Sequence, residues 1–144
     1  MKIAIINGPN LNMLGKREKA IYGSKTLEEI NAEVVEYSKE LGNIDLSFFQ
    51  SNIEGEIINH LHSLHQNIDG IIINPAAFTH YSVAVRDAIL SIDTPFIEVH
   101  LSNIYKREEF RHKSFFSDIA IGTIAGFGEN SYKYALCAIK DFLS

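Results

Sequence analysis

Cysteine is nearly absent: Cys137 is the single one, so no disulfide can close within this chain. It lies in an apolar C-terminal stretch and reads as an inert core thiol. Long apolar runs are lacking as well. The run at residues 2–6 is too short for a signal h-region or a membrane span. Nothing later approaches a span, so a cytoplasmic protein with no membrane partner is expected. Basic charge is not in excess. Thirteen Lys and Arg stand against 18 Asp and Glu, a formal net charge of −5. That leaves no basic footprint for a nucleic-acid partner, although a local arginine cluster would still suit a small anionic substrate. Glycine-rich phosphate loops of the GxGxxG or GxxxxGKS/T type are missing, which removes support for dinucleotides and nucleoside triphosphates. No cysteine or carboxylate completes a site with His60, His62 and His65, whose spacing is not a known ligand pattern, so no metal is expected.

What is present is a strand–loop–helix alternation that runs through all 144 residues, enough for one domain, 1–144, with a full core. Residues 2–6 form an apolar first strand. Thr26-Leu27-Glu28-Glu29 is a capping box, and Leu27, Ile30, Val34, Tyr37 and Leu41 step along one helical face until Gly42. Residues 44–50 alternate as a second strand. Ser51-Asn52-Ile53-Glu54 is a second capping box, followed by Ile57, Leu61 and Leu64. Residues 70–74 are apolar throughout, as in a parallel strand buried on both faces. A helix is expected over 79–92, a strand over 95–100, mixed loop over 103–115, a strand over 119–125 and a final helix over 130–143. Five strands alternating with helices predict a flavodoxin-like three-layer α/β sandwich around a five-stranded parallel sheet. Right-handed crossovers place all carboxyl ends of the strands on one edge.

That edge collects the polar, titratable residues. The first strand delivers Asn10, Asn12, Arg17 and Tyr22. Tyrosine has a reference pKa of about 10, so it is a poor base near neutrality unless a cation such as Arg17 favours the phenolate. The third strand delivers Asn74-Pro75-Ala76-Ala77-Phe78-Thr79-His80. Asn74-Pro75 is turn chemistry, and the two alanines allow a ligand close to the backbone. His80 opens the following helix, where free N–H groups suit an anion or a hydroxyl-rich ligand. The fourth strand delivers Glu98, His100, Leu101 and Ser102. Period-two alternation puts Glu98 and His100 on one side. A carboxylate beside an imidazole suits a general acid, and a solvated Glu–His pair at a strand end has the same spacing. Arg86-Asp87 reads as a solvated pair. Arg111 sits in a charged run with Lys106, Arg107 and His112; such runs are usually solvated, yet arginine is also the bidentate clamp for a carboxylate.

The segments GPNLNMLGKR with Tyr22, NPAAFTH and EVHLSN together resemble the type II 3-dehydroquinate dehydratases, in order and over essentially the whole chain. The resemblance implies dehydration of 3-dehydroquinate to 3-dehydroshikimate in the shikimate pathway, through an enolate, with no cofactor and no Schiff base. It implies a homo-dodecamer built as four trimers. It casts Tyr22 as the base for a C2 proton, with Arg17, on a mobile lid, keeping it ionised. His100 becomes the acid for the C1 hydroxyl, oriented by Glu98, and Asn12 holds a water against the enolate oxygen. Asn74, His80 and Arg111 bind substrate hydroxyls, the backbone at Leu101 and Ser102 takes the carboxylate, and Asp87 reaches a neighbouring subunit's site. Two positions depart from the family pattern. Lys19 stands where many members have proline, which should loosen the lid, and Phe78 where tyrosine is common.

Two other readings of the same fold lose support. A flavin- or nucleotide-binding module calls for a Ser-, Thr- and Gly-rich loop after the first strand, and the segment here is rich in asparagine. A receiver-type signalling domain calls for an aspartate at the end of the third strand and acids after the first. Asn74 and Asn7 occupy those places.

Overall fold

The computed structural model describes residues 1–144. Its strands are β1 (Lys2–Asn7), β2 (Asp45–Gln50), β3 (Gly70–Asn74), β4 (Phe96–His100) and β5 (Gly122–Ala125). They form one parallel sheet in the order β2-β1-β3-β4-β5. The helices are α1 (Lys19–Tyr22), α2 (Leu27–Leu41), α3 (Glu54–Ser63), α4 (Val83–Ile92) and α5 (Asn130–Leu143). No helix is long and apolar enough to cross a membrane.

Strand alternation sorts the apolar side chains into two layers. Ile3, Ile5, Ile72, Ile97 and Val99 pack with Leu27, Ile30 and Val34 of α2 and with Tyr132, Leu136 and Ile139 of α5. Ala4, Ile6, Ile71, Ile73 and Phe96 pack with Ile57 and Leu61 of α3 and with Val85 and Ile89 of α4. Each fully buried isoleucine contributes about 1.5–3 kcal/mol, so the central strands anchor both faces. This is the expected three-layer sandwich.

In this strand order the crevice of an open α/β sheet opens at the carboxyl ends of β1 and β3, where the winding reverses. Asn7 and Asn74 are register partners there, and the Gly8 N–H donates to the Asn74 carbonyl at 2.8 Å. A Cβ at Gly8 would collide with the Pro75 carbonyl. Glycine therefore lets the two loops leave the sheet side by side.

Several boundaries differ from the sequence expectation. The fourth helix starts at Val83, not Thr79. Residues Ala76–His80 tighten into a 3-10 turn, and Ser82 caps α4 by accepting from the Val85 N–H at 3.0 Å. Thr79 does not cap because its hydroxyl is held by Glu98. His80 therefore ends a turn instead of opening a helix. Thr26 does cap α2, accepting from the Glu29 N–H at 3.2 Å, but Ser51 does not cap α3. Its hydroxyl accepts from the Ile53 N–H at 2.9 Å and donates to Glu56 at 2.6 Å, a local turn, and α3 begins at Glu54 without a side-chain cap. β5 begins at Gly122, not Ile119, because the Ile119 and Ala120 N–H groups turn back to the Phe116 carbonyl. The segment before Tyr22 is not all loop, since α1 forms a single helical turn within it.

Candidate active site

A cleft of about 210 Å³ lies at this edge of the sheet. Arg17, Tyr22, Asn74, His80, His100, Leu101, Ser102 and Arg111 line it, as the sequence predicted, together with Asn10 and Arg107. Backbone strain concentrates here. Asn10, Glu18 and Ala76 line the cleft with φ of 69°, 39° and 50°. Such left-handed conformations cost about 1–3 kcal/mol each and persist only where the surroundings enforce them.

Glu98 and His100 project from the same side of β4, and both are buried. The His100 Nε2 lies 2.7 Å from Glu98 Oε1. Three hydroxyls complete the carboxylate's shell. Ser114 donates at 2.8 Å, Thr79 makes a still shorter bond, and Ser117 bonds the second oxygen. Burial alone pushes the Glu98 carboxyl up, but the bonds from His100, Ser117 and Thr79 outweigh it and hold the group below the usual carboxylate range. An ionised Glu98 can only accept, so the His100 Nε2 carries its hydrogen and Nδ1 is the nitrogen left for a ligand. Glu98 itself lies behind His100, with no exposed surface.

Tyr22 ends α1 within the 15–26 excursion, and two arginines meet it. Arg17 lies over its ring, with the guanidinium carbon 4.6 Å from the centroid. Arg107 Nη1 donates to the Tyr22 hydroxyl at 2.8 Å. Two guanidinium groups thus face one phenol, Arg107 also lying 5.3 Å from its ring centroid. Arg17 also pairs with Glu18 at 2.6 Å, and its Nε is buried without a partner. The stems of the excursion converge: Gly15, at φ 80°, packs against the backbone of Ser24–Thr26. Lys25 then ties it to Glu33 of α2 at 2.6 Å and to Glu129 at 3.3 Å.

Arg107 was not singled out in the sequence, where it stood in a charged run. The available signal was its spacing of four from Arg111, which also lines the cleft and pairs with Glu108 at 2.6 Å. Asn10 was named at this edge but given no role, and it lines the cleft. It directly follows Gly8-Pro9 and adopts a left-handed conformation that asparagine tolerates. Asn12 is the corresponding correction. It sits in the 3-10 turn Leu11–Met13, exposed, and lines a separate cavity with Asn7, Glu28, Asn31 and Gln50. A shift of two residues around a tight turn reverses the side a residue faces. His80 donates from Nδ1 to the Lys113 carbonyl at 2.8 Å, which leaves Nε2 as an acceptor. Burial pushes its pKa below the ordinary histidine value.

Asp87 lines no part of this chain's own cleft. It stands exposed on the outer face of α4, with exposed Val83 and Leu90 one turn to either side. Nor does it pair with Arg86, which bonds Asp118 and the Phe115 carbonyl, the latter at 2.8 Å.

The chain is similar to proteins of one family along its whole length. The model of the class II dehydroquinase family matches residues 1–140. A 3-dehydroquinate dehydratase of Prochlorococcus marinus (strain NATL1A) is 57% identical over 143 residues, covering 99% of this chain and 98% of that protein. A 3-dehydroquinate dehydratase of Francisella tularensis subsp. novicida is 56% identical over 144 residues, covering 100% of this chain and 97% of that one. Among solved structures, the type II dehydroquinase from Butyrivibrio crossotus DSM 2876 superposes with a TM-score of 0.94 at 47% identity, with 97% of each chain covered.

Proposed function

The chain belongs to the class II dehydroquinase family, and on that premise we propose that this cleft converts 3-dehydroquinate to 3-dehydroshikimate and water through an enolate, without a Schiff base. The observation that carries the reading is the pairing of a Tyr22 flanked by two guanidinium groups with a carboxylate-backed His100 in one cleft.

The Tyr22 phenolate takes a proton from C2, next to the C3 ketone. The electron pair moves onto the ketone oxygen and gives an enolate. Arg17 offers positive charge to that developing anion, and positioned donors of this kind act best where water is excluded. Asn10, which lines the cleft, takes the water-holding role expected of Asn12. The enolate then collapses to form the C1–C2 double bond and expels the C1 hydroxyl, which leaves as water with a proton from His100 Nδ1. Glu98 stabilises the imidazolium before that transfer and fixes its tautomer. Tyr22 ends with one more proton and His100 with one fewer, and exchange with solvent resets both. Asn74, His80 and Arg111 hold the substrate hydroxyls, and the backbone at Leu101 and Ser102 holds its carboxylate.

The test is a continuous assay with 3-dehydroquinate, following the near-ultraviolet absorbance of the conjugated enone, with and without borohydride. Turnover that survives borohydride is expected, because no imine forms. Inactivation by borohydride only in the presence of substrate would overturn the proposal.

Assembly is part of the same reading. The exposed Asp87, set between Val83 and Leu90, supports a trimer contact in which this acid enters a neighbour's cleft, with four trimers forming a cytoplasmic dodecamer of 1–144 catalytic domains. Asp87→Ala is expected to raise KM or to shift sedimentation toward smaller species. Unchanged affinity and unchanged sedimentation would remove the cross-subunit role.

A further inference from the structure

We infer that Tyr132, from the far layer of the sandwich, is a positioning residue for the substrate: it holds the Nδ2 donor of the Asn74 amide in place at the cleft. The inference rests on the proposal that Asn74 binds substrate.

Tyr132 is buried to 1% exposure on α5, among the apolar residues of that layer. Its hydroxyl nevertheless reaches the carboxyl ends of β1 and β3. It accepts from Asn74 Nδ2 at 3.0 Å and donates to Asn7 Oδ1 in a shorter bond. Burial pushes its pKa up, so the hydroxyl stays protonated and can do both.

Each link forces the next. The Ala76 N–H, which is a donor only, points at Asn74 at 3.1 Å, so the atom it meets must be Oδ1. That bond closes the turn through Pro75 and supports the left-handed φ of 50° at Ala76. With Oδ1 committed, Nδ2 must donate toward Tyr132. The Tyr132 hydrogen must then point away, and Asn7 Oδ1 receives it. The chain therefore runs in one direction, from the Ala76 backbone through two side chains to Asn7. Asn7 Nδ2, at its end, is buried without a partner.

The consequence for binding is a matter of polarity. Asn74 lines the cleft, and one N–H of Nδ2 is taken by Tyr132. The second N–H is what this amide offers a ligand, so Asn74 presents a donor to a substrate hydroxyl oxygen. Without Tyr132 the amide keeps its turn bond but loses the partner that holds the donor still. A wrongly oriented or mobile donor costs ground-state and transition-state binding alike, and that loss raises KM and leaves kcat in place.

The experiment is a double-mutant cycle on the full-length protein with 3-dehydroquinate as the probe, reading KM, kcat and melting temperature. Asn74→Ala is expected to raise KM. Tyr132→Phe keeps the ring and removes only the hydroxyl. It is expected to raise KM about five- to tenfold, with kcat within about twofold, as for one lost hydrogen bond. In the Asn74→Ala background it is expected to add no further change in KM. Asn7→Ala, which releases the Tyr132 hydrogen, is expected to raise KM in the same direction and serves if the phenylalanine variant does not fold. A lower melting temperature with wild-type KM in both Tyr132→Phe and Asn7→Ala would leave Tyr132 a purely structural residue and overturn the inference. An equal KM increase with and without Asn74 would overturn it too. A wild-type KM for Asn74→Ala would instead overturn the role of Asn74 on which the inference rests.

Discussion

His100 and Tyr22 line the same cleft, but they are held there by different means. His100 is the last residue of a central strand, buried, and backed by a carboxylate that has four side-chain donors of its own. Tyr22 ends a four-residue helix on an excursion whose stems meet at Gly15 and Ser24–Thr26. Its partners are an arginine of that excursion and Arg107, from a loop on the other side of the cleft's sequence. The proposed acid is thus built into the sheet, and the proposed base is assembled from loops. Loops tolerate local opening that sheet interiors do not. His100 should keep its geometry whatever the 15–26 excursion does, and Tyr22 should meet its arginines only when that excursion and the Arg107 loop are both in place.

The largest effect should come from the loop-built half. Tyr22→Phe is expected to lower kcat between about 10²- and 10⁴-fold, the range of one general acid–base group, with sedimentation and melting unchanged. Turnover within a few fold of wild type would remove Tyr22 as the base. A smaller loss is expected on the sheet-built half from Glu98→Gln, which leaves His100 in position and removes the charge behind it. The kcat should fall about 10- to 100-fold, while KM moves little. A kcat equal to wild type would mean that the carboxylate does not assist the acid.

The pH dependence of stability sharpens the same contrast with the smallest effect. The carboxyl of Glu98 is depressed in the folded state. Its contribution is therefore present above the unfolded value of about 4.3 and is lost as pH falls through the folded one. His80 is also depressed, by burial. The unfolded chain then takes its proton first, and stability declines as pH drops below about 6.5. Urea titrations of wild type and Glu98→Gln across the lower window test the Glu98 contribution. In the lower window the variant should decline less. Identical curves throughout would show that Glu98 gains no stabilisation from its shell.

The fold was legible because its signals are local. The apolar runs of β1 and β3, the stepped face of α2 and the last helix lie within a residue of where periodicity placed them. The errors fell where a side chain had a distant competitor. Thr79 resembled the opening of a helix, but Glu98 holds its hydroxyl, so the helix waits for Ser82. Ser51 was followed by the acid of a capping box, but its hydroxyl closes a local turn and bonds Glu56. At the site, Tyr22, His100 and their edge followed from strand order. Arg107 did not, because nothing near it in the chain shows that it meets a phenol 85 residues away. Asn10 lines the cleft and Asn12 does not, because a 3-10 turn, unseen in the pattern, puts Asn12 on a separate cavity.

The sequence by itself determined the layer architecture, the edge that carries chemistry and the residue types available there. Hydrophobic period and chain order are properties of neighbours, and right-handed crossovers follow from backbone chirality. Only the tertiary structure decided which polar atoms satisfy one another: three hydroxyls on Glu98, Arg107 on Tyr22, and Tyr132 between Asn74 and an Asn7 that is 125 residues distant. A buried polar group must find its partner wherever the packed chain brings one, and that choice has no signature in local sequence.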